Sequence, residues 1–510
     1  MNKLPESWYE FHNATAFPRL AVPQFSFDDF SRTLGESLEQ GNRIVAYFAL
    51  ENEPGGELEV WAFLADDARN VLRAACTRIG RDSFPSLSAR WPQLERFERE
   101  ISEQFGTVCE AHPWFKRVRY QASWTDRDAW GGTAEAGIVP GGGEFYKLEG
   151  EEVHEVSVGP VHAGVIEPGH FRFQCRGETV YHLEIALGYQ HRGVERALVG
   201  GPNRRSLHYA ETLSGDATIA HTGAYARVLE ALAGVKAPVR AEAIRGIALE
   251  LERLANHVGD LGALSGDAGY LPSASFCGRI RGDFLNLSAL ICGNRFGRGL
   301  VVPGGAGFDI EPSRAAELLK RLDALEKETA QAVNLLWETS SVMARFEDIG
   351  TLTKESAMQM GVVGPAARAS GLRRDVRYDQ PSGIFRFHQM PVSTYDSGDV
   401  FSRAFVRWLE VQQSIRFVRQ LLKNLPGGPF MKTLGNLAPA SCAVALEEGW
   451  RGEAAHVALT GPDGKFQRYK VVDASFHNWN ALAWVLRGQE ISDFPLCNKS
   501  FSLSYSGHDL

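Results

Sequence analysis

The sequence of 510 residues has few cysteines and none of the spacings that usually hold a metal. Its seven cysteines are scattered and no two form a CxxC pair: Cys76, Cys109, Cys175, Cys277, Cys292, Cys442 and Cys497. Zinc and iron–sulfur sites usually need clustered thiolates, so we expect neither within this chain. An odd, scattered set also argues against a disulfide framework, and we expect each cysteine to be a small buried residue.

Two further absences limit the kind of partner. No apolar run reaches the roughly 18 residues that a membrane-spanning helix needs, and the start from Met1 to Glu6 lacks the apolar core of a signal peptide. The formal net charge of -8 argues against a nucleic-acid partner. We therefore expect a cytoplasmic protein that reaches a membrane only through partner subunits.

The length predicts more than one folded unit. We predict an α+β fold: a small α+β domain over 1–125, a Gly-rich linker over 126–150, and a mainly helical domain with short β-sheets over 151–510. Local patterns predict helices over 26–40, 67–75, 240–264, 276–293, 313–345 and 399–422, and strands over 42–50 and 57–64. Ser26 and Ser313 are predicted N-caps. We expect a Gly/Arg-rich loop over 362–371, and short strands and turns over 450–510.

Many ionisable residues stand in apolar surroundings between Ser157 and Ala226. They are Glu167, His170, His191, Arg192 and Glu195. Burying such groups is costly unless they are paired or functional. The stretch therefore predicts either a redox or proton-handling centre, or an ion-pair network that holds a helix against a sheet.

Specific motifs in the second unit resemble a known family. They are Gly-Pro-Val-His-Ala-Gly at 159–164, Glu-Pro-Gly-His-Phe-Arg-Phe at 167–173, Gly-Tyr-Gln-His-Arg-Gly-Val-Glu at 188–195, Gly-Pro at 364–365 with Arg-Ala-Ser-Gly at 368–371, and Glu-Gly-Trp-Arg-Gly-Glu at 448–453. This unit resembles the large subunit of energy-converting NiFe hydrogenases of the formate hydrogenlyase type, and equally the homologous quinone-site subunit of complex I. The first unit resembles the complex I subunit that packs beside that one, on Phe-Glu-Arg-Glu at 97–100, Phe-Gly at 105–106 and His-Pro at 112–113.

The sequence departs from the family at the metal ligands. Family hydrogenases bind nickel and iron through four thiolates in two CxxC motifs, and soft thiolates suit these metals. Alignment on the flanking residues places other side chains at all four positions: Ser214, Ala217, Ser504 and Gly507. The resemblance therefore implies the architecture of the family without its NiFe centre.

The quinone site of complex I also does not carry over directly. In that family a tyrosine and a histidine donate to the quinone head group. The position of the tyrosine aligns with Gly215. The loop of the histidine aligns around Glu167 to His170, which leaves His170 as a candidate.

Three residues are candidates for a proton path or pocket: Glu167, His170 and Asp216. Glu167 matches the hydrogenase glutamate that moves protons near the metal; the alternative is a carboxylate that steadies the turn after it. Asp216 lies in the former ligand loop, where a buried carboxylate must be paired, hydrated or protonated. It could join Glu167 in a proton path or could cap a helix.

Five more residues are candidates for an interface with a partner cluster or for the pocket lining. His162, His191 and Arg192 match the stretch that faces the small iron–sulfur subunit, where a polar network is favoured over direct chemistry. His221 and Tyr225 lie about one helical turn apart. They could line the emptied cavity or belong to the core.

The resemblance implies the large subunit of a membrane-associated oxidoreductase complex on the cytosolic face. We expect no cofactor within this chain, a 4Fe-4S cluster in a partner small subunit, and a quinone as a candidate ligand. Expected membrane partners are of the complex I heel and antiporter-like types. The complex would couple electron transfer to ion translocation. The alternatives are a scaffold subunit and an active NiFe hydrogenase with unusual ligands.

Overall fold

The computed structural model describes residues 7–131, 138–162 and 166–510. Two residues of the first motif, Ala163 and Gly164, lie outside the described residues, as does part of the expected linker. Strands β1–β16 of the described chain are Tyr9–Phe11, Thr15–Pro18, Gln24–Phe25, Arg43–Glu51, Leu58–Asp66, Val71–Ile79, Ser83–Pro85, Val108–Glu110, Val153–Val158, His170–Arg176, Thr179–Ala186, Val301–Val302, Gly305–Ala306, Ser441–Gly449, Gly452–Thr460 and Phe466–Val472. Helices α1–α16 are Phe27–Glu39, Glu95–Phe105, Val194–Leu198, Ser206–Glu211, Thr218–Leu232, Val239–Asp267, Leu271–Cys292, Pro312–Trp337, Ser340–Phe346, Lys354–Gln359, Gly364–Ala369, Val376–Asp379, Val400–Lys423, Ala474–Val485, Phe494–Phe501 and Tyr505–Asp509.

The α+β prediction is confirmed, because short sheets and long helices share the chain. The predicted helices that became α1, α6, α7 and α13 are also confirmed, as are the strands that became β4 and β5. Ser26 caps α1, and its hydroxyl accepts a hydrogen bond from the Asp29 amide at 3.2 Å. Such a cap satisfies an amide that the first helical turn leaves without a partner.

The helix predicted over 67–75 is wrong, since β6 occupies most of it. The β5–β6 ladder runs from Asp66 opposite Val71 to Leu58 opposite Ile79. Its hydrogen bonds and its buried face outweigh the local helical tendency.

Three other local predictions need correction. The helix predicted over 313–345 is two helices, α8 and α9, and α8 begins at Pro312 rather than after a Ser313 cap. Proline suits this first position because the amide there needs no intrahelical partner. The predicted loop over 362–371 contains helix α11. The tail predicted as strands and turns begins with β15 and β16 but ends in helices α14, α15 and α16.

Helix α6 lies at the centre of the helical part of the chain. It packs on α7 and α13, while α5 packs on the β14–β15 hairpin. Most of α6 is buried, and its apolar residues join one large core. The sheet containing β14 and β15 also takes in β2, from the N-terminal part of the chain. The division at 125 and 150 stays a prediction.

The tip of the β14–β15 hairpin joins three parts of the molecule through ion pairs. Glu448 accepts from Arg368 at 2.7 Å, Arg451 pairs with Asp216 at 2.9 Å, and Glu453 accepts from Arg43 at 2.6 Å. Gly364 packs directly against this tip. It has a φ of +70°, and a Cβ there would lie 2.6 Å from the Cα of Gly452. Only glycine allows this close approach.

We predict that Gly364→Ala lowers the free energy of unfolding by about 2–4 kcal/mol, because the substitution adds left-handed strain to a backbone clash. Urea unfolding followed by circular dichroism checks this. Gly278→Ala is the matched control, since that glycine lies in α7 and its Cβ would contact nothing within 4 Å. The control should be neutral or stabilising by up to about 1 kcal/mol. Equal stability of Gly364→Ala and the native chain would contradict the packing argument.

Candidate functional site

The two segments that the resemblance matches to the hydrogenase ligand motifs, here called the two aligned segments, lie in contact. Ser214 precedes helix α5, and Ser504 is the N-cap of helix α16. The Ser214 hydroxyl donates to Oγ of Ser504 at 2.9 Å, and both side chains are buried. The Ser504 hydroxyl accepts from the Gly507 amide at 2.9 Å. A direct hydrogen bond therefore joins two of the four positions.

Arg451, at the hairpin tip, fills the space beside these serines. Its guanidinium donates to Ser214 Oγ at 3.2 Å and to Asp216 Oδ2 at 2.9 Å, and also contacts Asp216 Oδ1. The Trp450 ring lies beneath it at 3.9 Å. Burial acts to raise the pKa of Asp216, but the guanidinium outweighs it and the net pKa is lowered. Asp216 is thus paired with Arg451, and pairing is one of the alternatives that the sequence left open for this carboxylate.

The side chains at the other two aligned positions contain no atom that could bind a metal. Ala217 stands at the start of α5 and carries a methyl group. A Cβ at Gly507 would lie 2.8 Å from Cγ of Asp473, so this carboxylate occupies the space that a larger side chain needs. Two hydroxyls, a methyl group and a glycine do not fit the thiolate set of a NiFe centre. Burial raises the pKa of the Cys497 thiol to about 12.

Two predicted residues bind the backbone of these same segments. Glu167 accepts from the Tyr505 amide at 3.2 Å, which places its half-buried carboxylate beside Ser504. Arg192 donates to the carbonyls of Thr212, at 2.6 Å, and of Leu213 and Ser506. Arg192 therefore connects the two aligned segments through their backbone carbonyls.

Three predicted histidines bind backbone carbonyls nearby rather than the Ser214 cluster. His162 Nε2 lies 2.9 Å from the carbonyl of Gly169, and His170 Nδ1 lies 3.2 Å from that of Gly159. His191 Nδ1 lies 2.7 Å from the carbonyl of Asp509. Burial lowers the pKa of His191. These contacts favour a polar network that shapes the loops.

His221 and Tyr225 stand one turn apart on α5 and both are buried. His221 Nε2 lies 2.9 Å from Asp473 Oδ2. The Tyr225 ring lies 6.1 Å from the ring of Tyr469. His221 thus reaches the carboxylate that borders Gly507, which connects it to the candidate site.

Sequence reasoning missed three ionisable residues of this site: Arg451, Asp473 and Glu252. Glu252 accepts from the amides of Ile219 and Ala220 at 2.7 and 3.3 Å, at the start of α5. Burial raises the pKa of Glu252 to about 8, and the nearby charge of Asp216 adds to the effect. The carboxyl group therefore holds a proton at neutral pH. The motif at 448–453 contained Arg451, but no local pattern indicated its partner 235 residues away.

Comparisons with known proteins agree with this architecture. Residues 267–441 match the family model described as respiratory-chain NADH dehydrogenase, 49 Kd subunit, and residues 20–130 match the one described as the 30 Kd subunit. Formate hydrogenlyase subunit 5 of Escherichia coli (strain K12) is 30% identical over 443 residues, covering 84% of this chain and 77% of the relative.

Two further relatives extend the comparison. Hydrogenase-4 component G of the same organism is 28% identical, covering 91% of this chain and 80% of the relative. The fused C/D subunit of the NADH-quinone oxidoreductase of Bacteroides thetaiotaomicron is 27% identical, covering 76% and 77%. Fold and site thus define a complex I-like or hydrogenase-like large subunit of the fused type. The chain belongs to the family that contains formate hydrogenlyase subunit 5 and these fused subunits.

The raised pKa of Glu252 predicts a pH dependence of stability. The folded state keeps a proton that the unfolded chain releases at lower pH, so the free energy of unfolding falls as pH rises toward about 8. Glu252→Gln cannot ionise. We predict that the stability of Glu252→Gln relative to the native chain rises by about 2–3 kcal/mol between about pH 5.5 and about pH 8.5.

Urea unfolding of both proteins at the two pH values measures this difference. Glu338→Gln, at an exposed position just after α8, is the matched control and should show no such trend. A constant difference for Glu252→Gln would mean that the carboxyl is ionised at neutral pH.

Proposed function

We propose that this chain is the large subunit of a membrane-associated oxidoreductase complex that lacks the NiFe centre. In this proposal it couples electron transfer from a partner iron–sulfur subunit to ion translocation. The observation that carries the proposal is the cluster of Ser214, Ser504, Arg451 and Asp216. It sets hydrogen bonds and an ion pair where the aligned hydrogenase positions carry thiolates.

The chemistry that remains in the chain is proton handling. Glu167 presents a half-buried carboxylate beside Ser504, and Glu252 holds a proton near Asp216. A buried carboxyl group with a pKa near neutrality suits the uptake and release of protons. Electrons would arrive at an iron–sulfur cluster held by the partner. Ionisable groups of this chain would then take up protons that compensate the added negative charge.

The partners follow from the proposed role. The names of the relatives describe subunits and components of larger assemblies. Among the described residues, no helix is both long and apolar enough to cross a bilayer. We propose that the chain binds a small subunit with a 4Fe-4S cluster and lies on the inner face of the cell membrane, held by membrane subunits of the heel and antiporter-like types.

A quinone is the proposed acceptor, and a scaffold is the second candidate function. The direct Ser214–Ser504 hydrogen bond favours the scaffold, because it joins the two segments at the place where a quinone head group would have to enter. A quinone that enters between these segments would have to separate the two hydroxyls. His170, buried and flanked by the ring of Phe145 at 5.2 Å, is the candidate donor outside that contact.

Elemental analysis of the purified complex tests the central proposal. We expect iron without stoichiometric nickel, and electron paramagnetic resonance signals from iron–sulfur clusters alone, because no thiolate set is available at the aligned positions. A NiFe hydrogenase purified and analysed in the same way serves as the control for nickel recovery. One nickel per complex would show that the chain is a hydrogenase and that the aligned positions are wrong.

We predict that Glu167→Gln abolishes redox turnover without dissociating the complex, since the amide keeps the contact with Tyr505 but cannot carry a proton. Turnover is measured in membrane vesicles with decylubiquinone and with benzyl viologen as acceptors, and assembly by size-exclusion chromatography. Glu178→Gln, at an exposed turn between β10 and β11, is the matched control. Unchanged turnover of Glu167→Gln would favour the scaffold.

A further inference from the structure

Four buried side chains form a continuous hydrogen-bonded chain that leads away from the candidate site. Asp473 Oδ2 lies 2.9 Å from His221 Nε2, His221 Nδ1 lies 3.1 Å from His456 Nε2, and His456 Nδ1 lies 2.9 Å from the hydroxyl of Tyr469. All four residues are buried. They come from α5, β15, β16 and the start of α14, so tertiary packing alone assembles them.

The chain allows two self-consistent arrangements of its hydrogens. With both imidazoles neutral, Tyr469 donates to His456, His456 donates to His221, and His221 donates to the Asp473 carboxylate. With one more proton on His221, both of its nitrogens donate, so His456 accepts at Nε2 and donates from Nδ1 to Tyr469. The two arrangements differ by one proton. Each imidazole can therefore take a proton on one nitrogen and release one from the other.

The inner end of the chain borders the candidate site. Asp473 occupies the space beside Gly507, and it accepts from the amide of Ser475 at 2.7 Å. The Ser475 hydroxyl in turn accepts from the amide of Ser504 at 2.8 Å. The positive charge of Arg451 also acts on Asp473. Asp473 is therefore the member of the chain that is connected to Ser504 and to the charge of Arg451.

The outer end of the chain lies beside Tyr225, whose helix also lines a surface cavity through Leu229. The ring of Tyr469 lies 6.1 Å from that of Tyr225. Burial raises the pKa of Tyr225, and the Ser206 hydroxyl lowers it in part. Ser206 Oγ accepts from the amide of Asn203 at 2.9 Å, at an exposed turn. A cavity of about 740 Å³ lies alongside, lined in part by Pro202, next to Asn203, and by Leu229, one turn beyond Tyr225 on α5.

We propose that Asp473, His221, His456 and Tyr469 form a proton relay between the candidate site and this surface cavity. The inference rests on the proposed function, in which reduction of the partner's cluster changes the charge near the site and the relay delivers a compensating proton. It deepens that function by naming the route by which protons travel.

Each transfer moves one proton in and one proton out. For uptake, the Tyr469 hydroxyl proton passes to His456 Nδ1, the His456 Nε2 proton passes to His221 Nδ1, and the His221 Nε2 proton passes to Asp473. Tyr469 recovers a proton from the cavity side through Tyr225 or a water molecule. The imidazoles are then protonated at Nδ1, and the same transfers in reverse, when the charge is withdrawn, release the proton and restore the starting tautomers. No oxidant or reductant takes part in these steps.

A purely structural role predicts different behaviour. If the chain only holds α5 against the sheet, a histidine can be replaced by a side chain that donates and accepts hydrogen bonds but cannot ionise, and proton uptake stays unchanged. His456→Gln makes that replacement, and Tyr469→Phe removes only the outer hydroxyl while keeping the ring. His477→Gln is the matched control, because His477 is also buried, lies on α14 and stands outside the hydrogen-bonded chain.

The experiment follows proton uptake by the intact complex after flash photoreduction of its clusters with a deazaflavin, using pyranine as the pH indicator and a flash without protein as the baseline. We expect uptake in the native complex with a solvent deuterium isotope effect. We expect it to slow by about 100-fold in His456→Gln and in Tyr469→Phe, and to be unchanged in His477→Gln. Thermal unfolding and size-exclusion chromatography establish that each variant is folded and assembled.

The outcomes separate the relay from the function on which it rests. No proton uptake by the native complex on reduction would overturn the proposed coupling. Uptake that keeps its native rate in a folded Tyr469→Phe complex would overturn the relay while leaving the coupling in place. If the His456→Gln complex does not assemble, Tyr469→Phe still decides between the two roles, because it removes only a hydroxyl and keeps the buried ring.

Discussion

Charge pairing at the tip of the β14–β15 hairpin is the interaction on which the rest of the structure depends. Within six residues the tip carries Glu448, Arg451 and Glu453, all buried. An unpaired buried charge costs several kcal/mol, so each must meet a partner of opposite sign. Their partners come from helix α11, from the loop before α5 and from the N-terminal sheet. The pairing therefore fixes where three distant parts of the chain meet.

The same constraint shapes the chemistry of the site. Arg451 brings a permanent positive charge beside the buried Ser214 and Ser504, and Asp216 balances it. Around this pair lie a carboxyl group that holds its proton, Glu252, and a carboxylate that leads into a buried histidine chain, Asp473. The site therefore consists of hydrogen bonds and ionisable groups, without the soft thiolates that a NiFe centre uses. Such a site suits protons better than it suits nickel.

Part of this site could be predicted from the sequence, and part could not. The resemblance pointed to Glu167, Arg192, Asp216 and His221, and the structure places all four on or beside the two aligned segments. The quinone candidate His170 instead binds the backbone of its own loop. Arg451 and Asp473 were missed because their roles come from contacts with Asp216 and His221, more than 200 residues away along the chain.

The sequence by itself determined the elements whose signals are local. Helical periodicity identified α6, the Ser26 cap identified the start of α1, and the family motifs identified the fused architecture. Only the tertiary structure decided that Val71–Ile79 is a strand, that Ser214 meets Ser504, and that four residues from separate elements form one hydrogen-bonded chain. The physical reason is that local patterns report burial and backbone preference. The pairing of buried polar groups depends on which distant segments the core brings together.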